Sequence, residues 1–185
     1  ATGLLWERKT GTVGSGAGGN CNAPGSCVDP HDVNNRYSWT STGSAADGPA
    51  FTTFLEDLNG GSGFAGHTGW RLPVISEWQS ILVGPVVNSV VNAVPADPEA
   101  GSNPTGQATT CSINPCVDPL FAARAAPNKI PSPSGPYWSG PTLDILPFSF
   151  AYVLRFETDG GILGAGFKGV PGNFVRAVRT GSCTQ

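Results

Sequence analysis

"GHTGWRLPVISEWQSIL", Gly66 to Leu82, is the stretch on which the fold turns. It sets a Trp-Arg-Leu-Pro turn directly before a helical pattern. Val74, Trp78, Ile81 and Leu82 fall at i, i+4, i+7 and i+8, along one helical face. Pro73 suits the helix entry, where a missing N–H is not needed, and Gly84-Pro85 closes the pattern. Trp70 then stands just outside the helix and Trp78 on its apolar stripe. Both are expected as core anchors.

Upstream, "ADGPAFTTFLEDLNGG" spans Ala46 to Gly61. Phe51, Phe54, Leu55 and Leu58 recur at i, i+3, i+4 and i+7, so a second amphipathic helix is expected there. Asp47-Gly48-Pro49 provides its start and Asn59-Gly60-Gly61 its stop. "TGLLWERK" (Thr2–Lys9) and "RYSWT" (Arg36–Thr40) read as short strands, with Trp6 turned to the interior. From Tyr137 onward, "YWSG", "AYVLRFET", "GILGAGF" and "FVRAVR" alternate as strands do, and Asp159-Gly160 is a hairpin turn signal. Helices early and strands late predict an α+β domain. A single domain over 1–185 is expected, with a long loop insertion at about 84–136. Within the insertion, Val86, Val90 and Val94, extended by Val87 and Val91, predict a helical apolar stripe suited to self-association.

Charged residues make up 12% of the chain, about half the usual share of roughly 25%. Ten basic residues and a net charge of −3 argue against a nucleic-acid partner, which needs clustered cations. No apolar run reaches the ~20 residues of a membrane span. The chain has no methionine and starts at Ala1, so a trimmed form is expected. Cys21 and Cys27, and Cys111 and Cys116, are close pairs without a CxxC spacing. Spacing alone leaves the connectivity open. Local bridges Cys21–Cys27 and Cys111–Cys116, with Cys183 left over, are the expectation, and they place the protein in a secreted or extracellular setting.

Catalytic signals are weak. His31 and His67 are the two histidines, and neither lies in an HExxH motif or beside a GxSxG elbow. No enzyme and no cofactor are expected. Asp29, Asp32 and Asn34 in "VDPHDVNN", and Asp97 and Glu99 in "DPE", supply oxygens that could hold Ca²⁺. The Asp-Pro pairs Asp29-Pro30 and Asp97-Pro98 are ordinary turn chemistry as well.

In order, "TGLLWERK", "FTTFLEDLNGGSGFAGHTGWRLPVISEWQSIL", "CVDPLF", "YWSG", "AYVLRFETDGG" and "FVRAVR" resemble the bacterial Lcl C-terminal-domain family, named after a collagen-like surface adhesin. The similarity covers nearly the whole chain. It implies a C-type-lectin-like fold: two helices flanking a small twisted antiparallel sheet, with the first strand pairing with the last. Arg71 and Glu77 match the family's arginine in "WRLP" and its helix glutamate. Val74 departs from the family's threonine and has no acceptor for a reciprocal capping box, so Glu77 is expected to turn to Arg71. Trp6, Trp70, Trp78, Trp138, Arg176 and Arg179 then belong to the structural frame.

The family is associated with sulfated glycans, but so few basic residues do not suit an anionic ligand. The resemblance implies binding of a glycan or other cell-surface ligand through the C-terminal loops, with Tyr137, Asp144, Phe148, Phe167, Lys168 and Asn173 as candidate contacts. Loop packing is the competing account of those six. The rival function is a structural subunit of an extracellular bacterial filament or coat, self-associating through residues 86–136.

Overall fold

The computed structural model describes residues 3–11, 13, 27–82, 86–88, 106–108, 117–118, 120–121, 135–143, 149–157, 160–170 and 172–181. Its strands are β1 (Leu4–Trp6), β2 (Arg36–Tyr37), β3 (Val86–Asn88), β4 (Gly106–Ala108), β5 (Tyr137–Leu143), β6 (Phe150–Glu157), β7 (Gly160–Phe167), β8 (Asn173–Phe174) and β9 (Val178–Thr180). A π-helix over Ala50–Leu55 runs into α1 (Glu56–Asn59), and α2 is Ile75–Gln79. The fold is α+β, as expected.

The main sheet has the order β2-β8-β5-β6-β7. Its pairings are antiparallel except at β5 and β8, which run parallel where Tyr137 meets Phe174. The sheet is therefore mixed. β1 pairs antiparallel with β9, Leu4 opposite Thr180 and Trp6 opposite Val178, so the two ends of the described chain close on each other.

Strand β6 shows how the core divides. Side chains alternate across a strand, and Ala151 and Val153 join Phe54, Leu58, Trp70 and Trp138 on one face. Leu154 and Phe156 join Trp78, Tyr137 and Phe174 on the other. The Phe51–Leu58 stripe thus packs on one side of the sheet and α2 on the opposite side. Indole N–H groups tie the layers together. Trp138 Nε1 donates to the Tyr37 carbonyl at 2.7 Å, Trp39 Nε1 to that of Ser139 at 3.0 Å, and Trp78 Nε1 to that of Trp138 at 3.3 Å. Gly166 on β7 makes room for this arrangement, since a Cβ there would lie 2.6 Å from the Trp138 ring.

The first helix starts where expected but is wound wide through Leu55. Gly48 explains its entry. A Cβ there would stand 2.5 Å from the Thr40 nitrogen, and the Gly48 N–H donates to the Trp39 carbonyl at 3.1 Å. Asp47 braces the same loop, accepting from Thr40 Oγ1, Thr42 Oγ1 and the Ser41 N–H. These bonds hold its pKa far below the usual carboxylate range.

The second helix is shorter than its apolar pattern. It ends at Gln79, and Ser80 and Ile81 continue as a turn. Val74 is its N-cap residue, with the extended backbone that position takes. The Val74 N–H donates to Glu77 Oε2 at 2.9 Å. Valine has no acceptor to return the bond, so half of a capping box is made. Val74→Thr should complete it, since its hydroxyl can accept from the first-turn N–H groups. The expected gain is about 1 kcal/mol, read as a melting temperature raised by ~2–4 °C.

The expected valine helix is overturned at its start. Val86–Asn88 is not helical; it is extended and pairs with Gly106–Ala108, Val86 opposite Ala108. Adjacent β-branched valines favour a pleated strand once a partner is available. Val90, Val91 and Val94 lie outside the described residues, as does most of the 84–136 insertion. Among the described residues, no helix is long and apolar enough to cross a membrane.

Candidate functional site

Of the six residues expected to contact a ligand, four are described, and three of those four are buried. Tyr137 is buried between Trp78, Phe156 and Phe174, with ring centroids 5.1–5.4 Å away. Asn173 is buried on β8. Lys168 is fully buried: its ammonium donates to the Ser44 carbonyl at 2.7 Å and Thr142 Oγ1 at 3.1 Å, and lies 4.2 Å from the centre of the Trp39 ring. These three are packing residues. Phe167 differs, being 50% exposed at the end of β7. Its ring meets Phe150 edge-on, centroids 5.7 Å apart. Strand register places Leu143, Phe150 and Phe167 at one end of the sheet. Asp144 and Phe148, in the connection between β5 and β6, lie outside the described residues.

A buried ionic cluster forms where β1 leaves the sheet. Glu7 Oε1 lies 2.8 Å from both the Lys9 ammonium and His31 Nδ1. Glu7 Oε2 accepts from the Ala177 N–H at 2.9 Å, and the Glu7 carbonyl accepts from Arg176 Nη1 at 2.9 Å. Burial opposes ionisation of Glu7, yet Lys9, His31 and the Ala177 N–H outweigh it and hold its pKa below the ordinary 4.5. The cluster lies inside the molecule, with Lys9 over the Phe54 ring at 4.2 Å. Its arrangement suits scaffolding better than contact with a ligand.

The sequence reading missed Glu7 and Lys9. The available signal was "WERK": two opposite charges two residues apart, hence on one strand face, in a chain short of charge. His31 is tied to this cluster and its ring stacks on Phe64 at 4.1 Å. His67 is exposed, and its carbonyl accepts from Trp70 Nε1 at 2.9 Å.

The carboxylates of the Asp29–Asn34 turn are engaged locally. Asp29 accepts from Thr10 Oγ1 and the His31 N–H, and Asp32 from the Asn34 N–H and Nδ2. Among the described residues, no group of three or more His, Cys, Asp or Glu is placed to hold a metal ion. Asp97 and Glu99 lie outside them. Cys27 is buried and disulfide-bonded. The other four cysteines lie outside the described residues, so the expected pairings Cys21–Cys27 and Cys111–Cys116 do too.

A third feature is an open cleft of about 560 Å³ beside the "WRLP" turn. Phe51, Leu55, Leu72 and Val74 form its apolar walls, and Gly140 contributes from β5. A bulge between Trp138 and Thr142 shapes that part of the strand. It is anchored by the Pro73 carbonyl, which accepts from the Gly140 N–H at 3.0 Å and Ser139 Oγ at 2.8 Å. The cleft's polar side is an ion pair. Arg71 Nη1 donates to Glu77 Oε2 at 2.7 Å and Nη2 to Oε1 at 2.6 Å. Burial raises the Glu77 pKa, but Arg71 and the Val74 N–H bring it below the ordinary carboxylate value. The bonds to Glu77 in turn raise that of Arg71. The expected Arg71–Glu77 pairing is present, and it also opens on a cleft. Arg179, the other frame arginine near the turn, donates from Nε to the Thr68 carbonyl at 3.1 Å.

Compared with protein-family models, curated proteins and solved structures, the chain matches none of them.

Proposed function

We propose that this chain is a non-catalytic recognition domain, secreted or displayed on a bacterial surface or appendage, that binds a glycan or other surface ligand through its C-terminal loop end. The observation that carries this reading is the half-exposed Phe167 ring braced by Phe150. A half-exposed aromatic ring positioned by an edge contact suits stacking on the apolar face of a sugar ring. Val170, 48% exposed three residues on, widens the apolar surface. A C-type-lectin-like fold of the Lcl C-terminal-domain kind accords with three features: β1 paired with β9, helices on opposite faces of the sheet, and a long excursion between α2 and β5.

Phe167→Ala tests the site. The ring is half in solvent, so unfolding free energy should stay within about 1 kcal/mol of the parent. Binding on a glycan array should fall by about tenfold or more, as expected when a central aromatic contact is lost. Unchanged binding by a folded Phe167→Ala protein would overturn the assignment.

The second reading is a subunit of an extracellular filament or coat. It is favoured by β7, which ends the main sheet and carries neither charge nor proline over Gly160–Phe167. Natural edge strands are commonly blunted by such residues. Strand β4 approaches β7 without joining its hydrogen-bond ladder. Ala165 is exposed there, so Ala165→Lys should dissolve any assembly built on this edge. Sedimentation showing a parent that stays monomeric at high concentration would remove this reading.

A further inference from the structure

We infer that the Arg71–Glu77 cleft is a binding site for an uncharged pyranoside or similar polyol presenting two adjacent hydroxyls. This goes beyond the loop-end reading, because the cleft is built by the "WRLP" turn, the first helix and the β5 bulge. The argument begins with the guanidinium. A guanidinium has five N–H donors in a fixed plane. Glu77 occupies the edge formed by Nη1 and Nη2, and Nη1 also donates to the Leu72 carbonyl at 3.3 Å. Among the described residues, Nε–H and the second Nη2–H make no hydrogen bond. The Arg71 side chain is 43% exposed, whereas that of Glu77 is 13% exposed.

The acceptor side is equally uneven. Glu77 Oε2 takes bonds from Arg71 and the Val74 N–H, while Oε1 takes one, from Nη2. Because Oε1 is the oxygen bonded to Nη2, the spare acceptor lies next to the spare donor edge. Around this corner the order is Oε1, Nη2–H, Nε–H: one acceptor followed by two donors.

A hydroxyl can both donate and accept. Of two adjacent hydroxyls, one can donate to Oε1 while the other accepts from Nη2–H or Nε–H. A sulfate or carboxylate can only accept, and it would meet the charge of Glu77 beside the donors it sought. The pair is neutral as a unit, so an uncharged ligand fits better than an anion. Phe51, Leu55 and Val74, all partly exposed, offer the apolar surface that the C–H face of a pyranose requires. The volume of about 560 Å³ falls within the ~300–1,000 Å³ of small-molecule sites.

The test uses the Arg Nε region of the ¹H–¹⁵N spectrum of the whole chain, with the Arg71 signal assigned by its loss in Arg71→Lys. The titrants are methyl α-glucopyranoside and methyl α-mannopyranoside, with sodium sulfate and glucuronic acid as charged comparators. The expected result is a saturable shift of the Arg71 Nε signal with at least one uncharged glycoside, and tighter binding of it than of sulfate. Leu55→Trp, which fills the cleft from a partly exposed position and spares the ion pair, should weaken glycoside binding by about tenfold or more. Phe167→Ala, which removes the loop-end contact, should leave the affinity read from the Arg71 Nε shift within about twofold, so the cleft and the loop end are scored separately. No saturable shift with either glycoside, tighter binding of sulfate, or an unchanged affinity in a folded Leu55→Trp protein would each overturn the inference.

Discussion

Glu7→Gln should lower the unfolding free energy by about 3–5 kcal/mol, the cost of removing one partner from a buried ion pair. The Glu7 carboxylate faces the Lys9 ammonium at 2.8 Å, and both side chains are almost completely buried. Arg176 is buried too and donates to the Glu7 carbonyl. An amide at position 7 leaves Lys9 and Arg176 inside the protein without the Glu7 carboxylate, and the burial that already pushes the Lys9 pKa down then loses its main opposition. It also weakens the acceptor for the Ala177 N–H, which helps join the β1 end to the segment before β9. Urea unfolding measures the loss. Adding Lys9→Met to Glu7→Gln should recover much of it, because an uncharged pair in a packed interior avoids the uncompensated charge.

The sign of the pH dependence follows. The folded pKa of Glu7 lies below 4.5, so its stabilisation is complete above that value. It is lost as pH falls through the folded pKa. Glu7→Gln should therefore flatten the acid side of the stability profile without abolishing it, since the lowered pKa of Glu77 acts in the same direction. An equally steep acid limb in the variant would place the linkage elsewhere.

Trp78→Ala should cost about 3–5 kcal/mol, as large aromatic truncations in packed cores do. Trp78 is fully buried, and its ring meets Trp6, Tyr137 and Phe156 with centroids 5.2–5.7 Å away. These contacts join α2, β1 and the sheet, so the cavity would open where three elements meet. The bond from Trp78 Nε1 to the Trp138 carbonyl is lost as well. Thermal unfolding gives the measurement. A parent-like melting temperature would mean that the interior collapses around the gap.

Much of the frame was legible because it rests on local pattern. The stripe at Phe51, Phe54, Leu55 and Leu58 has a helical period, and alternation in "AYVLRFET" has a strand period. Trp70 and Trp78 could be assigned to the core because one borders and the other lies on an apolar stripe. The valine segment was read wrongly at Val86–Asn88. Valines four apart mark a helical face, but adjacent valines suit a strand equally well. The choice was made by pairing with Gly106–Ala108, eighteen and more residues away in the chain.

The sequence by itself determined the two amphipathic stripes, the Pro73 entry to α2, the strand-rich end and the short reach of Glu77 back to Arg71. Each depends on residues within about one or two helical turns or along one strand, where covalent geometry controls which side chains can meet. Tertiary structure alone decided which polar groups lie inside. Lys168 looks like an exposed loop lysine until Ser44, Thr142 and the Trp39 ring surround its ammonium. Tyr137 looks like a sugar-stacking ring until Trp78, Phe156 and Phe174 enclose it. Glu7 meets Arg176 and Ala177 across nearly the full length of the chain, and the Arg71–Glu77 pair becomes the wall of a cleft when the first helix and the β5 bulge arrive beside it. Burial and charge pairing are properties of the neighbours a residue acquires, and those neighbours come from distant parts of the sequence.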